Sequence, residues 1–512
     1  MRVTRVKQRK KQIPRRVRTM QYNSTRGYGP LSASEAILKG LADDGGLFMP
    51  DHVPALSIPL AKLPELSYHE TAYLVMKDYL DDYTEEELRD CIGKAYDSKF
   101  DTEEIAPITQ AGDQYFLELF HGATIAFKDM ALSLLPHLLT TAIRKNHVDK
   151  EIVILTATSG DTGKAALEGF SDVAGTRIIV FYPDGGVSRI QELQMVTTKG
   201  KNTDVVAVYG NFDDCQTGVK KIFHDAQFKK ELDQAGFCFS SANSINIGRL
   251  IPQIVYYVYA YGRMIKAGAI QAGDTLDFTV PTGNFGNILA AYFAKMMGLP
   301  VGKLICASND NKVLFDFFQT GIYDRNRPFI LTSSPSMDIL ISSNLERLIY
   351  LSCGSDAKTN TELMRQLSES GRYEITAKMQ ECLKDFYGAY ATGEEVLETI
   401  ASVYDKYGYV IDPHTAVAAF ADRKYKTEEK PSCKSVIIST ASPYKFGENV
   451  LRAIDPDFCA KDDFEMADRL QTLSKRNIPN AVASIRNAEI LHKQKCGVNE
   501  MHDMVQKCLF GS

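Results

Sequence analysis

A loop rich in glycine and small hydroxyl residues is the first segment whose residue types could do chemistry. It runs from Thr156 to Lys164 in the order Thr-Ala-Thr-Ser-Gly-Asp-Thr-Gly-Lys, between a predicted strand and a predicted helix. Backbone N–H groups at the start of a helix, aided by the helix dipole, form a ready site for an anion. The loop differs from a nucleotide-binding phosphate loop, because only two residues separate Gly160 from Gly163 where that motif needs four.

A second loop, from Val280 to Asn287, has the order Val-Pro-Thr-Gly-Asn-Phe-Gly-Asn and also joins a predicted strand to a predicted helix. Gly283 and Gly286 allow a ligand to approach the backbone closely, and the two asparagines can cap the turn. The pattern favours a phosphate placed on the helix N-terminus. Taken alone, the loop is equally typical of an ordinary glycine-containing turn.

Lys128 is the third candidate, since it follows an apolar and aromatic run that begins at Leu119. A lysine amine that is partly removed from water has a lowered pKa and can form a Schiff base with an aldehyde. The alternative is that Lys128 extends past apolar neighbours to reach solvent, as most lysines in such surroundings do.

One cofactor and its substrate together account for all three features. Pyridoxal 5'-phosphate requires a lysine for its aldehyde and a dipole-rich pocket for its phosphate. We therefore assign Lys128 to the aldehyde, the loop 283–287 to the cofactor phosphate and the loop 159–163 to the carboxylate of an amino-acid substrate. Two alternatives from other classes of protein stay open. The first is a nucleotide-binding regulatory or transferase protein, and the second is a non-catalytic interaction protein that kept the fold and lost the chemistry.

Strands must position these loops, and from about residue 150 short β-branched runs alternate with helical stretches. Strands are predicted at residues 152–156, 177–182, 204–209, 276–280, 303–307 and 434–440. The alternation implies parallel pairing in an α/β layered sheet that helices cover on both faces. Ligands in such folds bind beyond the carboxyl ends of the strands, so we expect the site in the loops after Thr156, Val280 and Thr440.

The chain divides into four parts on its sequence pattern. Apolar residues spaced by three and four predict helices between about residues 66 and 96. We expect a basic, disordered extension at 1–19, an N-terminal domain at 20–105, a catalytic region of two α/β subdomains at 106–455 and a helical segment at 456–512.

Charge and composition disfavour several classes of function. A formal net charge of −5 from 59 basic and 64 acidic residues does not favour a nucleic-acid or membrane-surface partner. Residues 1–19 carry nine basic and no acidic residues, which favours a disordered extension over a basic interaction arm or a transit segment. The ten cysteines lack metal-ligand spacing, so we expect reduced thiols, no metal site and a soluble, cytoplasmic protein.

Seven motifs follow one another along the chain, at residues 22–27 with 40–50, 120–129, 156–163, 240–249, 281–287, 412–417 and 439–446. In these motifs and their order, from about Met20 onward, the sequence resembles the threonine synthase family of pyridoxal-phosphate enzymes. It departs from the common family form at Ala123, where proline is usual, at Ile125, where leucine is usual, and at Ser442, where histidine is common.

The resemblance implies an α/β protein of fold type II, with two open parallel-sheet α/β subdomains and a small helical N-terminal domain. It implies that Lys128 forms the internal aldimine with pyridoxal 5'-phosphate, that Asp161 holds the ring hydroxyl and that Thr440 faces the pyridine nitrogen. The residues implied to hold the cofactor phosphate are Gly283, Asn284, Phe285, Gly286 and Asn287.

The family reaction implies a carbon–oxygen lyase that converts O-phospho-L-homoserine and water to L-threonine and phosphate, the last step of threonine biosynthesis. A related phospholyase, which releases a 2-oxo acid, ammonia and phosphate, would share the cofactor residues and stays open. The partner is then a small molecule, with neither nucleic acid nor membrane, while monomer and homodimer both stay open.

Two anions of that substrate need ligands. Candidates for the carboxylate are Ser159, Gly160, Thr162 and Gly163. Candidates for the phosphate are Ser244, Asn246 and Arg249, because a guanidinium can bind phosphate through two hydrogen bonds. For Arg249, pairing with a nearby acid is the alternative.

Overall fold

The computed structural model describes residues 19–158 and 160–511. Almost all of the expected basic extension, and the candidate ligand Ser159, lie outside the described residues. The N-terminal elements are β1 (Tyr22–Ser24), α1 (Ala33–Lys39), β2 (Phe48–Pro50), a 3-10 helix (Leu60–Glu65), α2 (Tyr68–Met76) and α3 (Glu85–Ala95).

The predicted helical stretch at 66–96 is confirmed as two helices, α2 and α3. Thr84 begins α3 with a reciprocal cap, in which its hydroxyl accepts from the N–H of Glu87 and the Glu87 carboxylate accepts from the N–H of Thr84. Leu88 and Ile92 lie one turn apart and are both buried, so α3 has one apolar face that packs against the protein.

The next part of the chain alternates strands and helices. Its elements are β3 (Ile108–Ala111), β4 (Gln114–Glu118), α4 (Asp129–Leu132), α5 (Leu135–Lys145), β5 (Glu151–Ala157), α6 (Asp161–Phe170), β6 (Thr176–Pro183), α7 (Arg189–Val196), β7 (Thr203–Tyr209), α8 (Phe212–His224), α9 (Ala226–Gln234), β8 (Phe237–Ser240) and α10 (Ile247–Lys266).

A second alternating region follows. It contains β9 (Leu276–Pro281), α11 (Gly286–Met296), β10 (Val301–Ser308), α12 (Val313–Thr320), β11 (Ile322–Asp324), a 3-10 helix (Pro335–Met337), α13 (Leu345–Ser352), α14 (Ala357–Ser370), β12 (Arg372–Glu374), α15 (Ala377–Glu381), β13 (Phe386–Tyr390), α16 (Gly393–Tyr407), α17 (Pro413–Glu429) and β14 (Lys434–Ser439).

The chain ends in mostly helical structure. Its elements are a 3-10 helix (Pro443–Phe446), α18 (Gly447–Ile454), α19 (Asp463–Ser474), α20 (Asn480–Ala483), β15 (Gln494–Gly497), a 3-10 helix (Val498–Glu500) and α21 (Met501–Phe510).

Two large sheets organise these elements. The six-stranded sheet has the order β13-β10-β9-β14-β4-β3, and its pairs are parallel except for the hairpin of β3 and β4. The five-stranded sheet has the order β15-β7-β6-β5-β8, and all its pairs are parallel. The expectation of an α/β protein with two parallel-sheet units is confirmed.

Helix α10 lies in the main hydrophobic core and contacts α2 and α11. It is apolar around most of its circumference, with both Tyr256 and Tyr257 fully buried, as is typical of a helix surrounded by protein. Among residues 19–158 and 160–511, no helix is both long and apolar enough to cross a bilayer.

The six predicted strands correspond to β5, β6, β7, β9, β10 and β14, with boundaries that differ by one or two residues. The segment 456–512 differs from the helical prediction, because β15 pairs with β7 inside the five-stranded sheet. The residues Gln-Lys-Cys-Gly of β15 carry no apolar run, and this short edge strand is specified by the neighbouring backbone more than by its own sequence.

Candidate active site

The carboxyl end of β14 fixes the segment that precedes Lys128. The carbonyl of Ser439 accepts from the N–H of Leu119 at 2.9 Å, and the carbonyl of Thr440 accepts from the N–H of Phe127 at 2.8 Å. Lys128 is thereby held at the start of α4, next to the end of a central strand, which is where ligands bind in parallel sheets.

The Lys128 amine lies in a mostly enclosed, polar pocket. Its side chain is 11% exposed, and Nζ donates to Oδ2 of Asp161 at 3.2 Å and to Oγ of Ser336 at 3.1 Å. Burial lowers the pKa of Lys128, and the charges of Lys445 and Arg249 act in the same direction against the opposing effect of Asp161. An amine in this position can lose its proton and act as a nucleophile or a base.

Asp161 is the first residue of α6 and the centre of the site's charge network. Its Oδ1 accepts from Nζ of Lys445 at 2.5 Å and from Nε2 of Gln191 at 3.0 Å, and its Oδ2 accepts from Oγ of Ser336 at 3.2 Å as well as from Lys128. Burial alone would raise the pKa of this carboxyl, but Lys128 and Lys445 outweigh it and hold the pKa well below its usual range. Asp161 is therefore a buried carboxylate in its charged form.

The loop between β9 and α11 has the shape of a phosphate cradle. Phe285 has a φ of 64°, and its ring packs against Phe318 and Phe386, so this residue faces the ligand side only with its backbone. Gly283 has no room for a side chain, since a Cβ there would lie 2.8 Å from the carbonyl oxygen of Ser336. Helix α11 begins at Gly286, and the backbone N–H groups of its first turn can bind an anion.

Asn287 and Asn284 complete this loop in different ways. Oδ1 of Asn287 accepts from the hydroxyls of Tyr256 at 2.5 Å and Tyr257 at 2.6 Å. Nδ2 of Asn287 is buried and has no hydrogen-bond partner among the described residues, so it is a donor available to a ligand. Asn284 is exposed, and its carbonyl accepts from the N–H of Asn344 at 3.0 Å.

In the loop after β5, two glycine N–H groups form hydrogen bonds inside the loop itself. The N–H groups of Gly160 and Gly163 both donate to the hydroxyl of Thr158, at 3.0 Å and 2.9 Å. Gly160 has a φ of 129° and lies directly under Gln191, while Thr162 is half-buried. The N–H groups of Gly160 and Gly163 therefore shape the loop, and Thr162 stays a candidate ligand.

The three candidates for the substrate phosphate have different surroundings. Asn246 is fully buried and caps α10, with its amide nitrogen bonded to the carbonyls of Ile37 and Ser241 and its amide oxygen to the N–H of Gly248. Because these bonds occupy the side chain, Asn246 has a structural function and we withdraw it as a phosphate ligand. Ser244 lies half-buried in the turn before α10.

Arg249 differs from a salt-bridged arginine. It is buried, its Nη1 donates to the carbonyl of Ala242 at 3.0 Å, and its Nε has no partner among the described residues. Burial lowers the pKa of its guanidinium to about 10. The alternative of an acidic partner has no support in the part of the chain that the structure describes, and the cation is available to an anionic ligand.

Several residues of the site were not predicted from the sequence. Ser336 belongs to a 3-10 helix between β11 and α13, and its N–H donates to Nε2 of His414 at 3.3 Å. His414 is oriented in turn by Asp412, whose Oδ2 lies 2.6 Å from Nδ1. The motif around Asp412 could have indicated His414, but the surroundings of Ser336 carry no recognisable pattern.

These residues fit pyridoxal phosphate. Lys128 provides an amine of lowered pKa, Asp161 provides a charged acceptor next to it, and Thr440 lies at the end of β14 on the same side. Asn287 has an orphaned donor beside the N-terminus of α11, where a phosphate would satisfy it. No group of three or more His, Cys, Asp or Glu residues within 19–158 and 160–511 has the arrangement of a metal site.

Comparison with known proteins agrees with this geometry. Family models described as threonine synthase N terminus, pyridoxal-phosphate dependent enzyme, and threonine synthase C-terminal match residues 21–96, 109–441 and 415–494. Threonine synthase-like 1 from Pongo abelii is 44% identical over 435 residues, which cover 82% of this chain. The chain spans only 58% of the length of that relative.

Two further relatives match over nearly their whole length. Threonine synthase from Saccharomyces cerevisiae is 36% identical over 493 residues, which cover 89% of this chain and 94% of that protein. The crystal structure of PLP-bound threonine synthase from Brucella melitensis is 34% identical, with a TM-score of 0.82 over 96% of this chain and all of that one. The fold type II architecture and the pyridoxal-phosphate cofactor are thereby confirmed, and the chain belongs to the threonine synthase family of pyridoxal-phosphate-dependent enzymes.

Proposed function

We propose that this protein converts O-phospho-L-homoserine and water to L-threonine and phosphate. The observation that carries the proposal is Arg249, a buried guanidinium with no acidic partner among the described residues. It lies close enough to Lys128 for its charge to help lower the pKa of that lysine. The loop 283–287 accounts for the cofactor phosphate and the loop after β5 for a carboxylate, so Arg249 is left for a third anion. A phosphorylated amino-acid substrate such as O-phospho-L-homoserine would supply this third anion as its phosphate group.

Lys128 is the residue that we propose moves protons. Bound pyridoxal phosphate withdraws electrons from the substrate and spreads the negative charge that forms at its carbon atoms. Lys128 takes the proton from Cα of the substrate and passes it to the substrate phosphate, so that the amine is free to take the proton from Cβ. Phosphate leaves Cγ as hydrogen phosphate, and Lys128 returns the Cβ proton to Cγ. Water then adds its OH at Cβ, and its remaining proton goes to Cα through Lys128. One mobile amine can carry out these proton transfers because the carbons are adjacent and the transfers take place on the same face of the substrate.

The other residues bind and orient. We propose that Asp161 accepts from the ring hydroxyl, Thr440 faces the ring nitrogen and Gly283 to Asn287 hold the phosphate through backbone N–H groups and Nδ2 of Asn287. A hydroxyl such as that of Thr440 does not stabilise a full positive charge on the ring nitrogen as a carboxylate would. Thr162, with Ser159, supplies hydroxyls for the substrate carboxylate, while Ser244 and Arg249 receive the substrate phosphate.

The experiment that tests the proposal measures three products in one sample. Purified, cofactor-loaded protein is incubated with O-phospho-L-homoserine, and threonine, 2-oxobutyrate and phosphate are quantified. Equal amounts of threonine and phosphate support the synthase reaction, whereas equal amounts of 2-oxobutyrate and phosphate would make the protein a phospholyase. Absence of turnover in protein whose cofactor borohydride fixes to Lys128 would contradict the proposed substrate. The cytoplasmic location stays a prediction.

A further inference from the structure

Two lysines share one carboxylate at the centre of the site. Nζ of Lys445 lies 2.5 Å from Oδ1 of Asp161, and Nζ of Lys128 lies 3.2 Å from Oδ2. A single negative charge cannot balance two ammonium ions in a buried pocket, where an unpaired charge is costly. One of the two amines must therefore lose its proton more readily than the other.

The structure distinguishes the two lysines. The side chain of Lys445 is completely buried, and its Nζ also donates to the carbonyl of Thr124 at 3.1 Å. Two oxygen acceptors at short distance stabilise an ammonium ion. Lys128 has the longer contact with Asp161, and its other partner is the hydroxyl of Ser336 instead of a carbonyl oxygen. Lys445 thus has the closer and stronger set of acceptors for an ammonium ion.

We propose that Lys445 is a positioning residue that keeps the Asp161 carboxylate as its own ion-pair partner, so that Lys128 is left as the uncharged, reactive amine. The neutral Nζ of Lys128 can then add to the aldehyde carbon of the cofactor, forming a C=N bond with release of one water molecule. Without Lys445, Asp161 would pair with Lys128 alone and hold it as an ammonium ion, which has no lone pair for that attack.

Gln191 binds the same carboxylate oxygen as Lys445. Its Nε2 donates to Oδ1 of Asp161 at 3.0 Å, and its side chain covers Gly160, where a Cβ would lie 2.5 Å from it. Gln191 and Lys445 therefore hold the carboxylate together before a ligand binds. The other titratable groups around this cluster are Arg249 of α10, Asp129 of α4, Glu168 of α6 and His414 of α17, which reaches Lys128 through Ser336.

Cofactor capture by the full-length protein tests this inference, which rests on the proposed function of Lys128. Protein freed of its cofactor is mixed with pyridoxal 5'-phosphate at a series of pH values, and the adduct is trapped with borohydride and located by mass spectrometry. In the wild type, we expect the capture rate to reach half its maximum well below the pH of about 10.4 at which an ordinary lysine titrates. A wild-type midpoint at that ordinary value would overturn the inference.

The variants separate charge from packing. Lys445→Met is expected to move the midpoint up by about one pH unit or more, which is roughly tenfold slower capture near neutral pH. Lys445→Arg, which keeps the charge, is expected to restore the wild-type midpoint. Lys295→Met, which removes a lysine paired with Asp385 away from the site, is the matched control and should leave it unchanged.

The remaining outcomes are equally informative. If Lys445→Met does not fold, Asp161→Asn tests the same balance: loss of the carboxylate should move the Lys128 midpoint below that of the wild type, and an upward shift would contradict the inference. If the adduct forms on Lys128 but Lys445→Met leaves the pH midpoint of capture unchanged, the proposed role of Lys445 is wrong. An adduct on a different lysine overturns the assignment of Lys128 itself, and with it the proposed function.

Discussion

At the scale of single residues, we propose opposite functions for Lys128 and Arg249. Lys128 has polar partners and a lowered pKa, which suits an amine that must lose and regain a proton. Arg249 keeps its charge at any ordinary pH, because burial lowers its pKa only to about 10. We therefore propose that Lys128 transfers protons and that Arg249 binds an anion.

Replacement of Lys128 tests the first function. Lys128→Ala is expected to lower kcat by at least about three orders of magnitude, since nucleophile and base are both lost. The protein should still bind pyridoxal phosphate, without covalent attachment, and borohydride should no longer fix the cofactor. The measurement is steady-state turnover with mass spectrometry of the reduced protein. Near-normal turnover in the variant would contradict the assignment, and Lys295→Ala is the control.

Replacement of Arg249 tests the second. Arg249→Met keeps the length of the side chain but removes a charge-assisted hydrogen bond of about 1.5–3 kcal/mol, so KM for the phosphorylated substrate should rise roughly 10- to 150-fold. The cofactor spectrum should stay unchanged. Arg263→Met, at the other end of α10, is the matched control. An unchanged KM in Arg249→Met would show that the substrate phosphate binds elsewhere.

Residue roles could be predicted where a local pattern carries them. Lys128 and the loop 283–287 stand in short motifs whose glycines and small polar residues have a physical reason. Gln191 and Ser336 escaped prediction because they reach Asp161 across 30 and 175 positions of the sequence. Asn246 was misjudged, since a motif does not reveal that its side chain is already satisfied by backbone groups.

At the scale of elements, the phosphate cradle depends on a close approach between two segments. The backbone of Gly283 faces the 3-10 helix Pro335–Met337, and Oγ of Ser342 donates to the Gly283 carbonyl at 2.6 Å. The same 3-10 helix brings Ser336 to Lys128. The loop that we propose holds the cofactor phosphate therefore contacts the segment that reaches Lys128.

A methyl group at Gly283 tests this contact. In Gly283→Ala, the new Cβ would lie 2.8 Å from the Ser336 carbonyl oxygen and 3.2 Å from Cα of Met337, so one backbone segment must move. We expect the affinity for pyridoxal phosphate, measured by equilibrium dialysis, to fall about tenfold or more, as overpacking costs roughly 1–3 kcal/mol. Gly93→Ala in α3 is the control, because its Cβ has nothing within 4 Å and alanine favours a helix.

The strands that could be predicted are those with buried β-branched runs. β5, β6 and β9 lie in sheet interiors and are buried along nearly their whole length; β5 and β6 each contain a run of four or more apolar residues, whereas β9 also buries Asp277 and Thr279. β13 and β15 lie at sheet edges and escaped prediction, because edge strands need no such run. The order of strands in the two sheets also lay beyond the sequence, since pairing between β4 and β14 joins segments more than 300 positions apart.

At the scale of the whole molecule, a charged cluster joins three distant parts of the chain. The ring of His121 lies 2.5 Å from Oδ1 of Asp101 and 2.9 Å from Oε2 of Glu118, and Oε1 of Glu118 accepts from Arg476 at 3.0 Å and from Tyr409 at 2.7 Å. The cluster thus connects the N-terminal region, strand β4 and the C-terminal segment. Alongside it lies a cavity of about 360 Å³.

The stability of this connection should depend on pH. Burial alone lowers the pKa of His121, but its bonds to Asp101 and Glu118 outweigh this and raise the pKa to about 9. A raised pKa stabilises the folded state fully below the ordinary value of about 6.5, and the contribution disappears as the pH rises through about 9. Glu118 has the reverse sign, since its pKa is lowered to about 2 and its contribution fades below about 4.5.

His121→Asn tests this dependence. The variant should lose about 2 kcal/mol of unfolding free energy near pH 6 and clearly less near pH 10, as measured by urea denaturation at both pH values. His52→Asn, at a histidine that lies closer to the surface, is the control. Equal losses at the two pH values would mean that the His121 ring acts through packing alone.

The position of β15 has a consequence for synthesis of the chain. Residues 494–497 complete a sheet whose other strands lie between residues 151 and 240, so more than 250 residues must be translated before the edge of β7 is paired. Until then the nascent chain exposes unpaired N–H and C=O groups along β7, which can pair with another molecule. A segment that is translated late thus protects the edge of a sheet whose other strands are translated more than 250 residues earlier.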